Sequence, residues 1–421
     1  MPSVDLSEGD RAALDGGNGE AAAIAMRIVV EMAGVIEADR LIDVTAAHVD
    51  SCLYHGIAGL EFAERLLMAG ARVRVPTTLN VGYLDLLHPE RYRGEKPTAS
   101  NARRQMDAYV EMGCRPTWTC APYQLAERPG FGEHVAWAES NAIVFCNSVL
   151  GARTARYGDF IDIAAAITGR VPFAGLHRNE DRLAKLVFRL EDVPERLLAS
   201  DALFPVLGNL IGREAGAGVP AIVGLPPDTS EDRLKALCAA AASSGSVAMF
   251  HAVGVTPEAP TLEAATGGAA VPEIVVTVAR LRSARDELET APAGDRLGAV
   301  SVGTPHASLS ELERLVELLG GEEPSVVLWV NTGRDILAQA ERRGVSAALE
   351  DAGVRIVTDT CTYLSPLLGA VKGPVMTNSG KWAWYAPANI GVKVVFGSLE
   401  ECVRSALAGR VVRDERLWSD D

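Results

Sequence analysis

The sequence predicts an α/β protein of several domains, and three observations lead to this prediction. Helix-type and strand-type hydrophobic patterns alternate along the chain, as they do in α/β proteins. The chain has 421 residues, more than one hydrophobic core usually supports. Two distant stretches also share the order strand, Gly/Pro turn, helix and strand, which is the order of a βαβ unit. We therefore predict three α/β domains, over residues 1–205, 206–290 and 291–421.

The first third of the chain is predicted to alternate helices and strands. Residues 20–40 form an amphipathic helix, because Arg27 and Glu31 interrupt the apolar run and argue against a membrane span. The stretch LIDVTAAHVD has strand character, and GLEFAERLLMAG repeats apolar residues at helical spacing. VRV then predicts a strand that ends at Pro76 and opens into the polar loop TTLN. A helix over ARRQMDAYVEMG follows.

The two similar stretches carry signals for the starts of their helices. In the later stretch, Ser308 and Glu311 match a capping box. In the earlier stretch, Asp228 and Glu231 match the same pattern more loosely. A charged helix near residues 279–290 is predicted to lie between these two βαβ stretches.

Composition favours a protein that acts on a small molecule. Hydrophobic residues make up 48% and charged residues 23%, so the chain is an ordinary compact protein and neither disordered nor fibrous. The formal net charge of -15 argues against nucleic acid or an anionic membrane as a partner, because phosphate binding needs clustered Lys and Arg. The N-terminus shows no secretory signal, so we expect a cytoplasmic protein.

Three of the seven cysteines occur in similar surroundings. Cys120, Cys146 and Cys361 each end an apolar or β-branched run and open a polar turn. Three thiols from separate turns suit an iron or iron-sulfur centre with one position open for substrate. The alternative is that all three are buried as small hydrophobic side chains, as we expect for Cys238 and Cys402. The residue pattern leaves both possibilities open.

Several polar loops are candidates for substrate binding. They combine hydroxyl, amide and basic side chains, which can bind a carboxylate or a phosphate, although such loops are often plain surface. Arg153 in particular suits a planar carboxylate through its two parallel N–H groups. The candidates for substrate binding are Thr77, Thr78, Asn80, Asn147, Arg153, Thr154, His306, Asn378 and Ser379.

Four residues are candidates for proton transfer or direct catalysis. Glu139 lies beside Trp137 at the start of AESNAIVFCNSVLGART and is the preferred acid or base. His177 follows an apolar run, where a histidine is more often structural than functional. Ser148 and Lys381 belong to polar loops and complete this set.

Six motifs in fixed order, among them HGIAGLEFAERLLMAGARVRVPTTLNV, WTCAPYQ, VTDTC and MTNSGKWAWYAP, resemble the large-subunit region of the aconitase X family. The resemblance covers about residues 8–405. It implies an aconitase-like architecture, with several βαβ units around a central metal site and a smaller swivelling domain that closes it. Known members dehydrate cis-3-hydroxy-L-proline in bacteria and mevalonate 5-phosphate in archaea.

The resemblance also implies a metal site. The metal-binding cysteines of the family correspond to Cys120, Cys146 and Cys361. Its polar site loops correspond to Thr77 to Asn80, Ser148 to Thr154 and Asn378 to Lys381. The aconitase-type pair of cysteines separated by two residues is missing, so a [2Fe-2S] cluster or mononuclear iron is expected in place of a [4Fe-4S] cluster.

Together these observations predict an iron-dependent hydro-lyase that converts cis-3-hydroxy-L-proline to Δ1-pyrroline-2-carboxylate. The sequence leaves no region for the swivelling domain, so we expect it on a separately encoded small subunit. One alternative keeps the family and makes mevalonate 5-phosphate the substrate. A second alternative is a metal-free protein that binds a small molecule.

Overall fold

The computed structural model describes residues 4–291 and 296–419 and confirms the α/β class. The chain forms two compact units. The first comprises Met1–Leu84 and Glu95–Leu183, and the second comprises Asp85–Gly94 and Ala184–Asp421. The division into three domains, with borders after residues 205 and 290, stays a prediction. In the described part of the chain, no helix has both the length and the apolarity to cross a membrane.

The first unit contains six helices and five strands among its described residues. Its helices are α1 (Glu8–Leu14), α2 (Glu20–Val35), α3 (Ile57–Met68), α4 (Lys96–Glu111), α5 (Ser140–Ser148) and α6 (Ile161–Thr168). Its strands are β1 (Leu41–Asp43), β2 (Ala47–Val49), β3 (Thr77–Leu79), β4 (Ala136–Trp137) and β5 (Arg170–Pro172).

A three-stranded parallel sheet positions the candidate residues of the first unit. Its strand order is β3-β2-β4, with Val49 opposite Leu79 and His48 opposite Trp137. The strands β1 and β5 form a separate antiparallel pair. Because all three strands of the larger sheet run in one direction, the residues that follow them meet at one edge.

The second unit continues with helices and strands in alternation. Its helices are α7 (Glu195–Leu198), α8 (Leu203–Ala215), α9 (Glu231–Ser244), α10 (Leu262–Thr266), α11 (Val278–Asp286), α12 (Leu309–Leu319), α13 (Arg334–Arg342), α14 (Val345–Asp351), α15 (Gly380–Ile390) and α16 (Leu399–Ala408). Its strands are β6 (Leu186–Arg189), β7 (Pro220–Val223), β8 (His251–Ala252), β9 (Glu273–Val275), β10 (Ala299–Ala307), β11 (Leu328–Thr332), β12 (Arg355–Val357), β13 (Val375–Thr377) and β14 (Val394–Phe396).

Two parallel sheets organise the second unit. The first has the order β8-β7-β6-β9, and the second has the order β12-β11-β10-β13-β14. The core of the larger sheet includes Val300, Val330, Ile356 and Val395, which are all buried. The chain leaves β10 toward β11 and β12 and later returns to the other side of β10 at β13. Ligands of open α/β sheets bind at such a reversal of strand order, outside the carboxyl ends of the strands.

Helices α8, α9 and α15 pack closely because small residues line their contacts. A Cβ atom on Gly208 would lie 2.6 Å from the Leu237 carbonyl oxygen of α9. Likewise, a Cβ atom on Gly380, the first residue of α15, would lie 2.9 Å from the Ala240 methyl group. Glycine at these positions lets the helix backbones approach and thereby fixes the start of α15 against α9.

The structure corrects two local predictions. The strand predicted at VRV is wrong, because the strand forms at Thr77–Leu79, within the stretch that we predicted to be a loop. The amide of Val73 donates to the Met112 carbonyl at the end of α4, so it is not used in a sheet. Asp228 does not cap α9, because Ser230 accepts the hydrogen bond from the Arg233 amide.

Other local predictions are confirmed. The helix predicted near residues 20–40 is α2. The capping box of Ser308 and Glu311 starts α12, with both of its reciprocal hydrogen bonds formed. The charged helix predicted near residues 279–290 is α11.

Candidate metal and substrate site

Four residues of the first unit, three of which are sequence-predicted candidates, lie at the carboxyl edge of its parallel sheet. Asp50 follows β2, Asn80 follows β3, and Glu139 follows β4 by two positions. Cys120 joins them because the preceding residue, Thr119, donates its backbone amide to the Leu79 carbonyl at the end of β3, at 3.2 Å. The Asn141 side chain donates to the Cys120 carbonyl oxygen at 3.0 Å, and this bond also holds the backbone of Cys120 in place.

Glu139 starts the helix that carries Cys146. Its carboxylate accepts the Ala142 amide hydrogen at 2.9 Å and also accepts from the Asn141 side chain, so it caps α5. Its φ of 74° lies in the left-handed region, which is uncommon for a residue other than glycine and is frequent at functional sites. Glu139 therefore has a structural role at this edge.

Cys146 lies in the last turn of α5, so the prediction that it opens a polar turn is wrong. The four residues AIVF that precede it are all apolar because this helix is buried on all sides. Burial raises the pKa of the Cys146 thiol above its ordinary value.

The loop after α5 is held by a buried arginine that sequence reasoning missed. Arg182 is 2% exposed and donates to the Asn147 side-chain oxygen at 3.1 Å and to the Ala152 carbonyl at 3.2 Å. Asn147 also exchanges two hydrogen bonds with the Thr154 backbone, at 2.9 and 3.0 Å. Ser148 ends α5 and is buried beside this loop.

Arg153 and His177 lie at the opposite end of β4 from Glu139. Arg153 forms an isolated parallel β-bridge with His134, which lies two residues before β4 begins. The Arg153 guanidinium donates to the His177 carbonyl oxygen at 3.1 Å. His177 contacts the His134 ring at 2.9 Å and the Tyr157 hydroxyl at 2.5 Å. Burial, together with His134 and nearby arginines, lowers the pKa of His177 to about 3, so it is neutral and a weak base at neutral pH.

Thr77 and Thr78 lie within β3, before the carboxyl edge. Thr77 donates to the Val75 carbonyl oxygen at 2.8 Å, and the Thr78 hydroxyl contacts the His48 ring at 2.8 Å. Asn80 alone among the three loop candidates stands at the edge, where its side chain donates to the Asp50 carboxylate.

In the second unit, His306 and Cys361 come together at the carboxyl edge of the larger sheet. His306 lies near the end of β10, and Cys361 follows β12 by four positions. Their ligand atoms lie within 4.8 Å of each other. The Nε2 atom of His306 contacts the Thr360 carbonyl oxygen at 3.2 Å, so this nitrogen carries the proton and Nδ1 carries the lone pair.

Charge and burial keep His306 neutral. Burial and, to a smaller extent, the charges of Lys235 and Lys381 lower the pKa of His306 to about 4, against the opposite effect of the Thr360 carbonyl. A neutral imidazole is the form that binds a metal ion. A buried thiol beside a neutral imidazole is a donor set that suits iron.

A network of buried hydrogen bonds fixes the residue after Cys361. The Thr362 hydroxyl contacts Ser301 at 2.7 Å and accepts from the Trp382 ring nitrogen at 2.9 Å. The Thr362 backbone amide donates to the Asn331 side chain at 3.0 Å. Strands β10 and β11 and helix α15 thus all hold this turn in place.

The loop after β13 forms the start of α15. Ser379 caps the helix by accepting from the Trp382 amide at 3.0 Å. Lys381 is 4% exposed, and its charge acts on His306. The side-chain oxygen of Asn378 is buried and has no hydrogen-bond partner among the described residues. The positive N-terminal end of α15, a buried lysine and an unpaired amide oxygen thus lie together in this loop.

Asp50 is the edge residue that sequence reasoning missed. Burial, followed by the charges of Glu139 and Asp159, raises the pKa of Asp50 to about 7. A signal was available, because an acidic residue directly after the strand pattern HV stands where α/β sheets bind ligands.

Comparisons with known proteins agree with this architecture. Three family models match in order along the chain. They are described as the aconitase X first domain, over residues 3–180, the second domain, over residues 184–286, and the third domain, over residues 297–408. Together they cover most of both units.

Individual relatives match over nearly the whole chain. Cis-3-hydroxy-L-proline dehydratase of Pseudomonas aeruginosa is 46% identical, over 97% of this chain and 71% of that protein. The phosphomevalonate dehydratase large subunit of Methanothermobacter thermautotrophicus is 38% identical, over 95% of this chain and 98% of that protein. The crystal structure of Thermococcus kodakaraensis aconitase X in its holo-form matches with a TM-score of 0.86 and 33% identity, over 96% of this chain and all of that one.

The Thr362 network generates a stability prediction. Trp382→Phe keeps an aromatic ring but removes the N–H that donates to Thr362. We expect it to lower the free energy of unfolding by about 1–3 kcal/mol, since a buried hydroxyl loses a donor and the smaller ring leaves a gap. Chemical denaturation would measure the change. Trp384→Phe is the matched control, because Trp384 is 41% exposed, and equal destabilisation by both variants would contradict the role of the network.

Proposed function

The chain belongs to the aconitase X family, and from this premise we propose that it is the large subunit of an iron-dependent hydro-lyase. The proposed substrate is cis-3-hydroxy-L-proline, and the proposed product is Δ1-pyrroline-2-carboxylate. The observation that carries this proposal is the 46% identity to a cis-3-hydroxy-L-proline dehydratase over 97% of the chain. Polar and thiol side chains at the carboxyl edges of the three-stranded and the five-stranded parallel sheets support it.

We propose that Cys120, Cys146 and Cys361 hold the iron, as a [2Fe-2S] cluster or as mononuclear iron. All three thiols are buried, and Cys361 has the neutral His306 imidazole beside it. Thiolate and imidazole are the ligands that iron centres of this kind use. When bound, iron would supply a Lewis acid for the leaving hydroxyl group.

The residues of the chain have proposed roles in the elimination. The N-terminus of α15, with Lys381 and Ser379, would bind the substrate carboxylate, because helix dipole and ammonium charge both favour an anion there. A base removes the proton from C2, the electron pair of that bond forms the C2–C3 double bond, and the hydroxyl group takes up a proton and leaves C3 as water. The resulting enamine gains a proton at C3 and loses its N–H proton, which gives the cyclic imine.

The source of the base is proposed to be a separately encoded small subunit that closes over the site. The chain covers 98% of a relative named a large subunit, and that name, which implies a small subunit, supports a division of the enzyme into two polypeptides. Closure would exclude water and strengthen electrostatic interactions in the site. Glu139, Ser148 and His177 remain candidates for proton transfer within this chain. We also propose a cytoplasmic location for the assembled enzyme.

Mevalonate 5-phosphate is the second candidate substrate, because the archaeal relative is a phosphomevalonate dehydratase large subunit at 38% identity. A phosphate would need more basic side chains than a carboxylate does. The carboxyl edge of the first unit instead gathers Asp50 and Glu139, which disfavours a phosphate there. A metal-free binding protein is the third candidate and would be colourless after anaerobic purification.

The substrate is tested by co-expression of the chain with a small subunit and purification without oxygen. We expect dehydration of cis-3-hydroxy-L-proline, measured as formation of the cyclic imine, and no turnover of other hydroxyproline isomers. The large subunit alone should be inactive. Turnover of mevalonate 5-phosphate in place of the proline compound would establish the second candidate, and full activity of the chain alone would place the base within it.

The iron ligands are tested by single substitutions to serine. Cys120→Ser, Cys146→Ser and Cys361→Ser should each lose most of the bound iron, because a hydroxyl is a poor replacement for a thiolate at such a centre. Metal analysis and the visible absorption spectrum would measure the loss. Cys238→Ser, in the buried helix α9, is the control and should keep its iron. Full iron content in all three site variants would refute the assignment.

A further inference from the structure

We propose that Asp50 and Asn80 form the subsite that binds the ring ammonium group of a proline-type substrate. The inference rests on the proposed function and deepens it by assigning the part of the substrate that carries positive charge. It starts from two neighbouring side chains at the carboxyl edge of the first unit, each following one of two adjacent parallel strands.

The side chains of Asp50 and Asn80 are held in a fixed mutual orientation. Asn80 donates its amide N–H to Oδ1 of Asp50, and its backbone amide donates to the Val49 carbonyl at 2.9 Å. Asp162, which is fully buried, accepts the backbone amides of Asp50 and Ser51 at 2.7 and 2.9 Å. These hydrogen bonds hold the backbone at Asp50 and the carboxylate of Asp50 in place.

Two acceptor atoms remain without a protein donor. Asn80 is 2% exposed, and its side-chain oxygen has no hydrogen-bond partner among the residues that the structure describes. In the same described ranges, the Asp50 carboxylate accepts a hydrogen bond only from Asn80, at Oδ1. The other carboxylate oxygen, Oδ2, receives none from these residues. A buried acceptor without a donor is costly in a folded protein, so this pair is suited to a ligand that brings donors.

The surrounding charges select the kind of donor. Titratable groups from several segments surround Asp50. The acidic ones are Glu139 at the start of α5, and Asp159 and Asp162 around the start of α6. The others are Cys52, in the same turn as Asp50, and Tyr109 of α4, which donates to the neighbouring Ser51. Burial raises the pKa of both Cys52 and Tyr109 well above the ordinary values, so these two groups stay uncharged. The field at Asp50 is thus negative.

A negative field with two acceptors matches a secondary ammonium group. The ring nitrogen of proline carries one positive charge and two N–H bonds, which can donate to the free oxygen of Asp50 and to the side-chain oxygen of Asn80. Mevalonate 5-phosphate has no such group and would place additional negative charge in the site. The pair therefore favours a proline-type substrate over a phosphorylated hydroxy acid.

The raised pKa of Asp50 predicts that ligand affinity depends on pH. Because burial and neighbouring carboxylates raise the pKa of Asp50 to about 7, the free carboxyl group is partly protonated at neutral pH. An ammonium ligand binds the ionised form better, so its affinity should rise as pH rises through 7 and then level off. The charges of proline itself do not change in this range.

The test is calorimetric binding of two ligands to the iron-loaded complex of large and small subunit. L-proline and tetrahydrofuran-2-carboxylate share a five-membered ring and a carboxylate, but only L-proline carries the ammonium group. We expect the wild type to prefer L-proline by about tenfold or more, and Asp50→Asn to lose most of that preference. Asp107→Asn is the control, because it removes an acidic charge from the exposed surface of α4 and should keep the preference.

Dehydration of cis-3-hydroxy-L-proline by the same wild-type preparation separates the two proposals. Turnover without any preference for L-proline, or an undiminished preference in Asp50→Asn, would overturn the ammonium subsite and leave the proposed function standing. A preference that depends on Asp50, without turnover, would support the subsite and refute the proposed function. If Asp50→Asn does not fold, the pH dependence of L-proline binding to the wild type is the test. An affinity for L-proline that stays constant or falls between about pH 6 and about pH 8 overturns the subsite.

Discussion

Parallel pairing of strands is the constraint on which the candidate site depends, because it brings the ends of separate chain segments to one edge of each sheet. In the first unit this edge collects Asp50, Asn80 and Glu139 from β2, β3 and β4. In the second unit it collects His306 and Cys361, whose ligand atoms lie within 4.8 Å although 55 positions separate them in the sequence. Without parallel strands these side chains would point to different ends of their sheets.

Burial then determines which charge each residue carries. The same loss of solvation lowers the pKa of His306 to about 4 and raises the pKa of Asp50 to about 7, so one becomes a neutral donor for metal and the other a carboxyl group that responds to a cation. Lys381 adds positive charge beside His306, whereas Glu139 adds negative charge beside Asp50. Each edge thus has its own electrostatic character, one suited to metal and carboxylate and the other to an ammonium group.

Much of the architecture follows from the sequence, because hydrophobic periodicity and capping signals are local. The helix α2, the capping box of Ser308 and Glu311, and the α/β class could be predicted from such patterns. The position of β3 could not, because pairing with β2 recruits Thr77 and Thr78 into a strand that their polar character does not suggest. Tertiary pairing therefore overrode local hydrophobicity at this point.

The site was less accessible to sequence reasoning than the fold. The helix that carries Cys146 was not predicted, because every face of α5 is buried and the hydrophobic pattern therefore shows no helical period. Arg182 and Asn331 gave no motif, since their roles depend on partners that are distant along the chain. Similar local surroundings identified the three cysteines as candidates, and the family resemblance, which rested on the order of six motifs, then favoured a metal site over simple burial.

The central claim is that buried cysteines of this chain hold the iron on which dehydration depends. X-ray absorption at the iron edge, on protein purified without oxygen together with the proposed small subunit, tests this claim most directly because it identifies the atoms bound to the metal. The account predicts sulfur atoms among the nearest neighbours of iron. A first shell that contains only nitrogen and oxygen would contradict it.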